Sequence, residues 1–593
     1  MMTPTYYRPP AISINTTHKA PQAEFSAGKA SSYLDLNFAL ISLKMSVSDR
    51  IGAPESHPRF HGVLAELTHL ILRRCFNSVE QTALSVVTLW LLTYVLTTVY
   101  TRCTRISGVP GPFWAAYSRF WLLRAYASGC LWQIYHNTSL TYGPLTRIGP
   151  NQVLLSDPEE SMRILAPRSK YERGPWYDAF RIEPNRPNII SQRHRSTHLR
   201  MRYQMAPGVH TLWFICHPLT NVTQYSGKDI ANFENIMNVR VLDLTDHITA
   251  DWTSTADSTV VFDLGRWIRH LTMDTITHIS FGKPLGYVEN GQDVMNFTGV
   301  VEQLLPVVLR FSLFTELKYV LQVLARIPCF RRKLFPHSTH STGLGGIKIT
   351  KDIINSRPPP EPRTKSDMLN SFLCHGISPT EVESEMVIAL VAGSDTTSTG
   401  LRATILNIIS NPPVYRKLQQ EIDEAITRGL ISSPIQDTEA RRLPYLQACI
   451  YEGLRCHPPL VMPRERIAPP EGDTVCGYHL PGGTIVGLNV WTSQRTKVYG
   501  TDPEVFRPER WIEASDEQRR AMRKVWDLVF GYGTTKCLGE NVALMTMNKV
   551  LPELFRRFDI CTIDPQRPWH SECYGIFFQK GFNVRVSKRE AFS

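Results

Sequence analysis

Residues 530–539 read FGYGTTKCLG. Glycines at 531, 533 and 539 and a phenylalanine surround one cysteine, Cys537. A disulfide needs a partner thiol, and a structural zinc cysteine usually has a second ligand a few residues away. Cys537 has neither nearby. Glycines allow a turn whose backbone comes close to another object. The segment therefore reads as a thiolate presented to something bulky, with Phe530 and Gly533 letting the turn lie against a flat apolar ligand. Ligation through sulfur also needs backbone N–H groups aimed at it to moderate its charge, and a glycine-bearing turn running into a helix supplies them.

Three other stretches bear on what that ligand is. VAGSDTTS (391–398) lies in an apolar run beginning EMVIALVAG. A helix there is buried almost all round, so Asp395, Thr396 and Thr397 are costly unless they are used. Gly393 would let a planar ligand pack against the helix or let it open locally, and the alternative is a satisfied polar cluster at a bend. In YEGLR, Glu452 and Arg455 are three apart and share a helix face. Their apolar surroundings, LPYLQACIYEGLRCHPPL, argue for a partly buried pair, which a second arginine would help to satisfy. FRPERW (506–511) offers Arg510.

The rest of the 593-residue chain sets the frame. Hydrophobic residues at 42% and charged residues at 20% suit a globular protein with a sizeable core. Twelve cysteines without paired spacing fit a reducing compartment. The net charge of +12 allows an anionic membrane face or an acidic partner, but no long Lys/Arg run marks a nucleic-acid arm. Residues 1–78 read as an N-terminal extension, disordered to about residue 60, with a short amphipathic helix over 60–76. ALSVVTLWLLTYVLTTVY (83–100) has no charge, and eighteen residues at a rise of ~1.5 Å make about 27 Å, enough for a bilayer core. With Trp90, Tyr94, Tyr100, Arg102 and Arg105 as interface anchors, residues 79–101 read as a retained transmembrane helix. Residues 102–115, containing SGVPGPFWA, form a Pro/Gly hinge. Residues 116–593 read as one mainly helical domain with a minor β-sheet, with strands expected in LTRIGPNQVLLSD (145–157) and YHLPGGTIVGLNVW (478–491). NSRPPPEPRTKSD (355–367) reads as a polar loop.

Phe-x-x-Gly-x-x-x-Cys-x-Gly, preceded in order by Ala-Gly-x-Asp-Thr-Thr, Glu-x-x-Arg and Pro-Glu-Arg-Trp, resembles the signature set of the cytochromes P-450 over roughly residues 105–590. The anchor and hinge resemble those of members bound to the endoplasmic reticulum. YGPLTRIGPNQVLLSDPEE and SKYERGPWYDAF are similar to fungal members that oxidise secondary metabolites or aromatic compounds. The resemblance implies a cytochrome P-450 fold preceded by a single transmembrane helix, and a heme b (iron protoporphyrin IX) cofactor with Cys537 as its axial thiolate. Phe530, Gly531, Gly533, Lys536 and Gly539 would belong to the cofactor-binding turn. Asp395 and Thr396 match the family's acid–alcohol pair, which helps to deliver protons through water. Glu452, Arg455 and Arg510 match its structural triad. His198 and Arg202, in RSTHLRMRYQMAPG (195–208), match the propionate-binding helix, and Arg464 in MPRERIAPP is a further candidate.

Three departures from the pattern stand out. Thr535 occupies the place of a frequent arginine, so a propionate contact is missing or replaced by Lys536. Gln494-Arg495 stands where a His-Arg pair is usual, which weakens heme contacts. VHTLWFICHPLTNVTQ (209–224) intervenes where the pattern would run from APG into YSGKDIANFE. It reads as a retained intron translated in frame, since a valine codon starts GT and glutamine can be CAG; its rival is a hydrophobic loop lying on the membrane. The resemblance further implies a monooxygenase that inserts one oxygen atom of O2 into a lipophilic small molecule, with electrons from a separate NADPH-cytochrome P-450 reductase. The chain would be single-pass in the endoplasmic reticulum membrane, its catalytic domain facing the cytosol. The rivals are an O2-independent isomerase or dehydratase, and a non-catalytic heme-binding protein. Ala389–Ala392 and Leu460–Met462 are candidate pocket-facing residues.

Overall fold

The computed structural model describes residues 81–82, 84–96, 100, 106, 108–183, 186–209, 230, 232–314, 345–356 and 367–589. The N-terminal extension, the helix expected over 60–76, the 209–224 insert beyond Val209 and most of the proline-rich loop lie outside these residues. The chain divides into compact units at Leu92/Thr93. An apolar helix runs over Leu84–Leu96, its Leu84, Trp90 and Leu92 exposed. Among the described residues, Val294–Phe311 is long and apolar enough by composition to cross a membrane. Left-handed backbone at Met295 and Asn296 interrupts it, so the regular helix starts at Phe297.

The larger unit is mainly helical with small sheets, as the sequence implies. Its helices used here are α1 (Leu131–Tyr142), α2 (Arg195–Val209), α3 (Phe233–Asp251), α4 (Leu264–Phe281), α5 (Phe297–Phe311), α6 (Pro379–Ile409), α7 (Pro444–Cys456) and α8 (Glu540–Arg557). The strands are β1 (Leu145–Gly149), β2 (Gln152–Leu155), β3 (Glu172–Arg173), β4 (Val261–Asp263), β5 (Arg466–Ile467), β6 (Asp473–Val475), β7 (Tyr478–Leu480), β8 (Ile485–Leu488), β9 (Phe558–Thr562), β10 (His570–Cys573), β11 (Phe577–Lys580) and β12 (Asn583–Lys588). Both stretches expected to hold strands do so. They also pair with each other, β2 running parallel to β8 in a sheet ordered β1-β2-β8-β5-β3.

Helix α6 is the axis of the unit. Ser378 and Glu381 close a capping box at its start, and Pro379 at the first helical position has no N–H to waste. Helix α4 lies along it, and Gly393 makes that approach close, because a Cβ there would stand 2.9 Å from Ile276 Cδ1. This corrects the sequence reading of Gly393. The helix runs unbroken through it, and the missing side chain makes room for α4 rather than for a ligand. The C-terminal half of α6 joins α3, α4, α7 and α8 in the largest apolar core, and its N-terminal half packs with α2 and α4 in a second.

The Pro/Gly segment is clasped to the domain by Arg147 of β1. That buried guanidinium donates to Ile106 O at 3.2 Å and Pro150 O at 2.7 Å, and Arg147 N donates to Pro110 O at 2.7 Å. Gly111 is required here, since a Cβ would collide with Arg147 O.

Candidate functional site

The Cys537 turn is built from its neighbours inward. Trp526 ends one helix, donates its indole N–H to Tyr451 O at 2.8 Å and packs its ring 5.5 Å from Phe530. Cys537 N donates to Phe530 O at 2.8 Å, closing the loop. Gly531 and Gly533 both have left-handed backbone, which glycine adopts without penalty. A Cβ on Gly531 would stand 3.4 Å from Arg464 Nη1, and one on Gly533 would collide with Leu165 O. The bare backbone of Gly533 thus admits the Leu165 carbonyl of the domain. Gly539 caps α8 and its N–H points at the Cys537 sulfur. Burial pushes the thiol up from its ordinary value, and that N–H, with Arg202 and Arg464, opposes the rise. Cys537 nevertheless has exposed surface. The thiol thus lies deep among protein atoms on a residue that keeps solvent-accessible surface.

Helix α6 shows the same signature. Ala392 is exposed and Thr396 half-buried midway along a core helix whose neighbours Ser394 and Asp395 are buried. Ile388, Ala389 and Val391 of α6 and Leu538 and Val542 beside Cys537 pack against one apolar cluster. The Thr396 hydroxyl donates to Ala392 O at 2.7 Å. Asp395 turns the other way, toward α4, with its Oδ1 3.5 Å from Arg269 Nε. Burial raises its carboxyl, against the pull of Arg269 and Arg402. Arg269 also pairs with Glu302 of α5, and Glu302 meets Lys580 at 2.7 Å, so a line of charges links Asp395 to an exposed ammonium.

A group of cations flanks the sulfur. His198 is buried, and burial together with Arg173, Arg202 and Arg466 holds its imidazole down at about 2, so it is neutral. Every charged group acting on it is an arginine. Arg202 is half-buried, and Cys537 acts on both it and Arg464. Arg464 is fixed by donating to Leu528 O at 2.7 Å and Val529 O at 2.8 Å. Lys536 instead pairs with Glu540 at 2.8 Å. The partner that reaches Thr535 is Arg466, whose Nη2 donates to Thr535 Oγ1 at 2.8 Å. Arg466 and Arg173 are candidate site residues that sequence reasoning missed. They lie on β5 and β3, paired as neighbours, and only that pairing brings them to the cationic edge.

The Glu452 shell is fully buried. Arg455 Nε and Nη2 each donate to its carboxylate at 2.8 Å, as do Arg510 Nε and Trp511 Nε1. Burial would raise Glu452, but Arg455 and Arg510 outweigh it and hold the carboxyl below its ordinary value. Gln494 and Arg495, which stand where a His-Arg pair is usual, border this shell: Gln494 O accepts from Arg455, Gln494 Nε2 donates to Val525 O at 2.8 Å and Arg495 Nη2 to Cys456 O at 2.7 Å.

A deep thiol, a helix that shares its neighbours' apolar cluster and leaves an alanine and a threonine open, and Arg173, Arg202, Arg464 and Arg466, which have no carboxylate partner among the described residues, suit a flat apolar ligand that carries iron and two acidic groups. These residues fit heme. The family model described as Cytochrome P450 matches residues 110–581, and the chain belongs to the cytochrome P450 family. Cytochrome P450 monooxygenase aba1 of Botryotinia fuckeliana (strain B05.10) is 34% identical over 487 residues, covering 81% of this chain and 92% of that protein. Cytochrome P450 monooxygenase ABA1 of Pyricularia oryzae (strain 70-15) is 32% identical over 509 residues, covering 84% and 95%. Cytochrome P450 monooxygenase abl1 of Leptosphaeria maculans is 33% identical over 489 residues, covering 81% and 82%. The chain is accordingly a monooxygenase, and its family implies a heme-thiolate cofactor.

Proposed function

We propose that the chain is a membrane-anchored monooxygenase of fungal secondary metabolism that inserts one atom of O2 into a lipophilic small molecule, with electrons from a separate NADPH-cytochrome P-450 reductase. The observation that carries this reading is the accessible sulfur of Cys537 inside the protein, with the Gly539 N–H aimed at it. When bound, heme supplies the iron centre at which dioxygen is activated. Cys537 would hold the iron, with the Gly539 N–H and the start of α8 tempering the thiolate. Arg202, Arg464, Arg466 and Arg173 would receive the acidic groups of heme, and neutral His198 would donate or accept a hydrogen bond there. Thr396, whose own proton is committed to Ala392 O, presents lone pairs that would order water beside it. Asp395, on the α4 side of the same helix, stands at the inner end of the charge line from Lys580 and is the acid of the pair that supplies protons to the site. Ala392 and its neighbours exclude bulk water. The uncharged run before residue 100 serves as the anchor in the endoplasmic reticulum, with the catalytic unit in the cytosol.

The test is the reduced carbon-monoxide difference spectrum of the full chain. Wild type gives a band at about 450 nm, the mark of a thiolate on iron, and Cys537→Ser abolishes it. A Cys537→Ser protein that keeps the band would end the proposal.

A further inference from the structure

Cys130 and Cys573 lie far apart in the sequence and pair directly in the fold. Cys130 is the N-cap of α1, and Cys573 ends β10. They are partners in an isolated parallel bridge, with Cys573 N donating to Gly129 O at 2.6 Å. Residues paired in this way project their side chains to the same side, about 4.8 Å apart along the hydrogen-bonding direction, within the Cα separation a disulfide spans. Both thiols are free; Cys130 is exposed and Cys573 fully buried. The backbone N–H groups of Trp132 and Gly575 point at the Cys573 sulfur, and Cys130 is close enough to act on it electrostatically. Thus one sulfur can be reached from solvent, and the other sits beside it with two N–H groups to support a thiolate.

We propose that this pair is an oxidation site, and that a peroxide converts it to a Cys130–Cys573 disulfide. Peroxide first takes up the exposed sulfur: Cys130–SH and H2O2 give Cys130–SOH and one water as the O–O bond breaks. The Cys573 sulfur then attacks Cys130–SOH, forming the S–S bond and releasing a second water. Two electrons pass from the two sulfurs to the peroxide, and no other reactant is needed. Burial raises both thiols, Cys130 with the added push of Glu572, so the first step is slow and the pair stays reduced under brief exposure.

The bridge falls where it alters the molecule. The turn after Cys573 lies on the segment following α7: Val461 N donates to Gly575 O at 2.9 Å, and Leu460 bridges Ile576. That segment contains Leu460–Met462, candidate lining of the substrate space. A disulfide ties the turn to the start of α1 and so fixes this wall.

The experiment uses the full heme-loaded chain in microsomes, treated with hydrogen peroxide, quenched with catalase, alkylated and digested without reductant. A peptide pair joined through Cys130 and Cys573, two hydrogens lighter than the sum of its parts and released by dithiothreitol, is the expected result. Cys130→Ser should lose that pair while keeping the carbon-monoxide band, which shows that folding is intact. Cys130 recovered as sulfinic acid with Cys573 alkylated, or either thiol joined to another cysteine, would overturn the site. Clotrimazole, an azole that ligates heme iron, should dissociate several-fold more slowly from oxidised wild type than from reduced, with no such change in Cys130→Ser. Equal rates in both states would remove the claim that the wall is fixed.

Discussion

Glu385 is a carboxyl group in the core. It lies on α6 two turns before Ala392, is 1% exposed, and takes the Ile189 N–H on both oxygens at 2.9 and 3.2 Å. Burial raises it from 4.5 to about 8. Between those values the folded chain keeps a proton that the unfolded chain has lost, so its contribution to stability falls as pH rises across the window, by a few kcal/mol. Glu385→Gln keeps an acceptor for Ile189 and removes the titration. Its melting temperature should match wild type near pH 5 and exceed it by pH 8; parallel curves would mean that Glu385 is ionised throughout. Arg466 offers a second test at this scale. Arg466→Ala removes a buried donor to Tyr177, Thr535 and two backbone carbonyls, with each bond to a charged group worth about 1.5–3 kcal/mol. Heme occupancy, read as Soret absorbance per mole of protein, should drop in Arg466→Ala and recover in Arg466→Ala/Thr535→Arg. Failure of the second arginine to restore it would confine Arg466 to holding β5.

Among the elements, the turn at 530–539 was the most legible in the sequence, because its chemistry is local: a cysteine, the glycines that shape the chain around it and the helix that follows. The Glu452 shell was legible in part. Glu452, Arg455 and Arg510 could be named, but the carbonyls of Gln494, Pro503 and Val505 that complete the arginines come from irregular chain with no residue-type signal. The edge cations Arg173 and Arg466 were not legible, since each is an ordinary strand residue until β3 and β5 pair. Side-chain direction was also hidden. The motif at 395–396 gives two polar neighbours, and only the fold shows that Thr396 keeps open surface while Asp395 is buried against α4. Gly533 tests the turn as a unit. Gly533→Ala forces a Cβ into Leu165 O at a left-handed position and should cost about 2–4 kcal/mol. A protein with lowered melting temperature and shallow heme retention is expected; one with wild-type stability would show that the turn yields freely.

For the whole molecule, the apolar cores of the helical unit contain, among the described residues, none before Ile106, and Arg147 secures the chain at Ile106. A protein beginning at residue 105 should therefore keep the 450 nm band at about full intensity and move from the membrane fraction toward the soluble one. Loss of the band on truncation would make the leading segment part of the fold. The Arg466–Thr535 contact carries a consequence for kinship. On the proposed assignment, the Arg466 guanidinium takes the place of a basic residue missing from the cysteine turn, so the two positions form an exchangeable pair. Cousins that retain arginine in the turn should be free to lose it from the strand, and chains lacking it at both places should lose their pigment most readily.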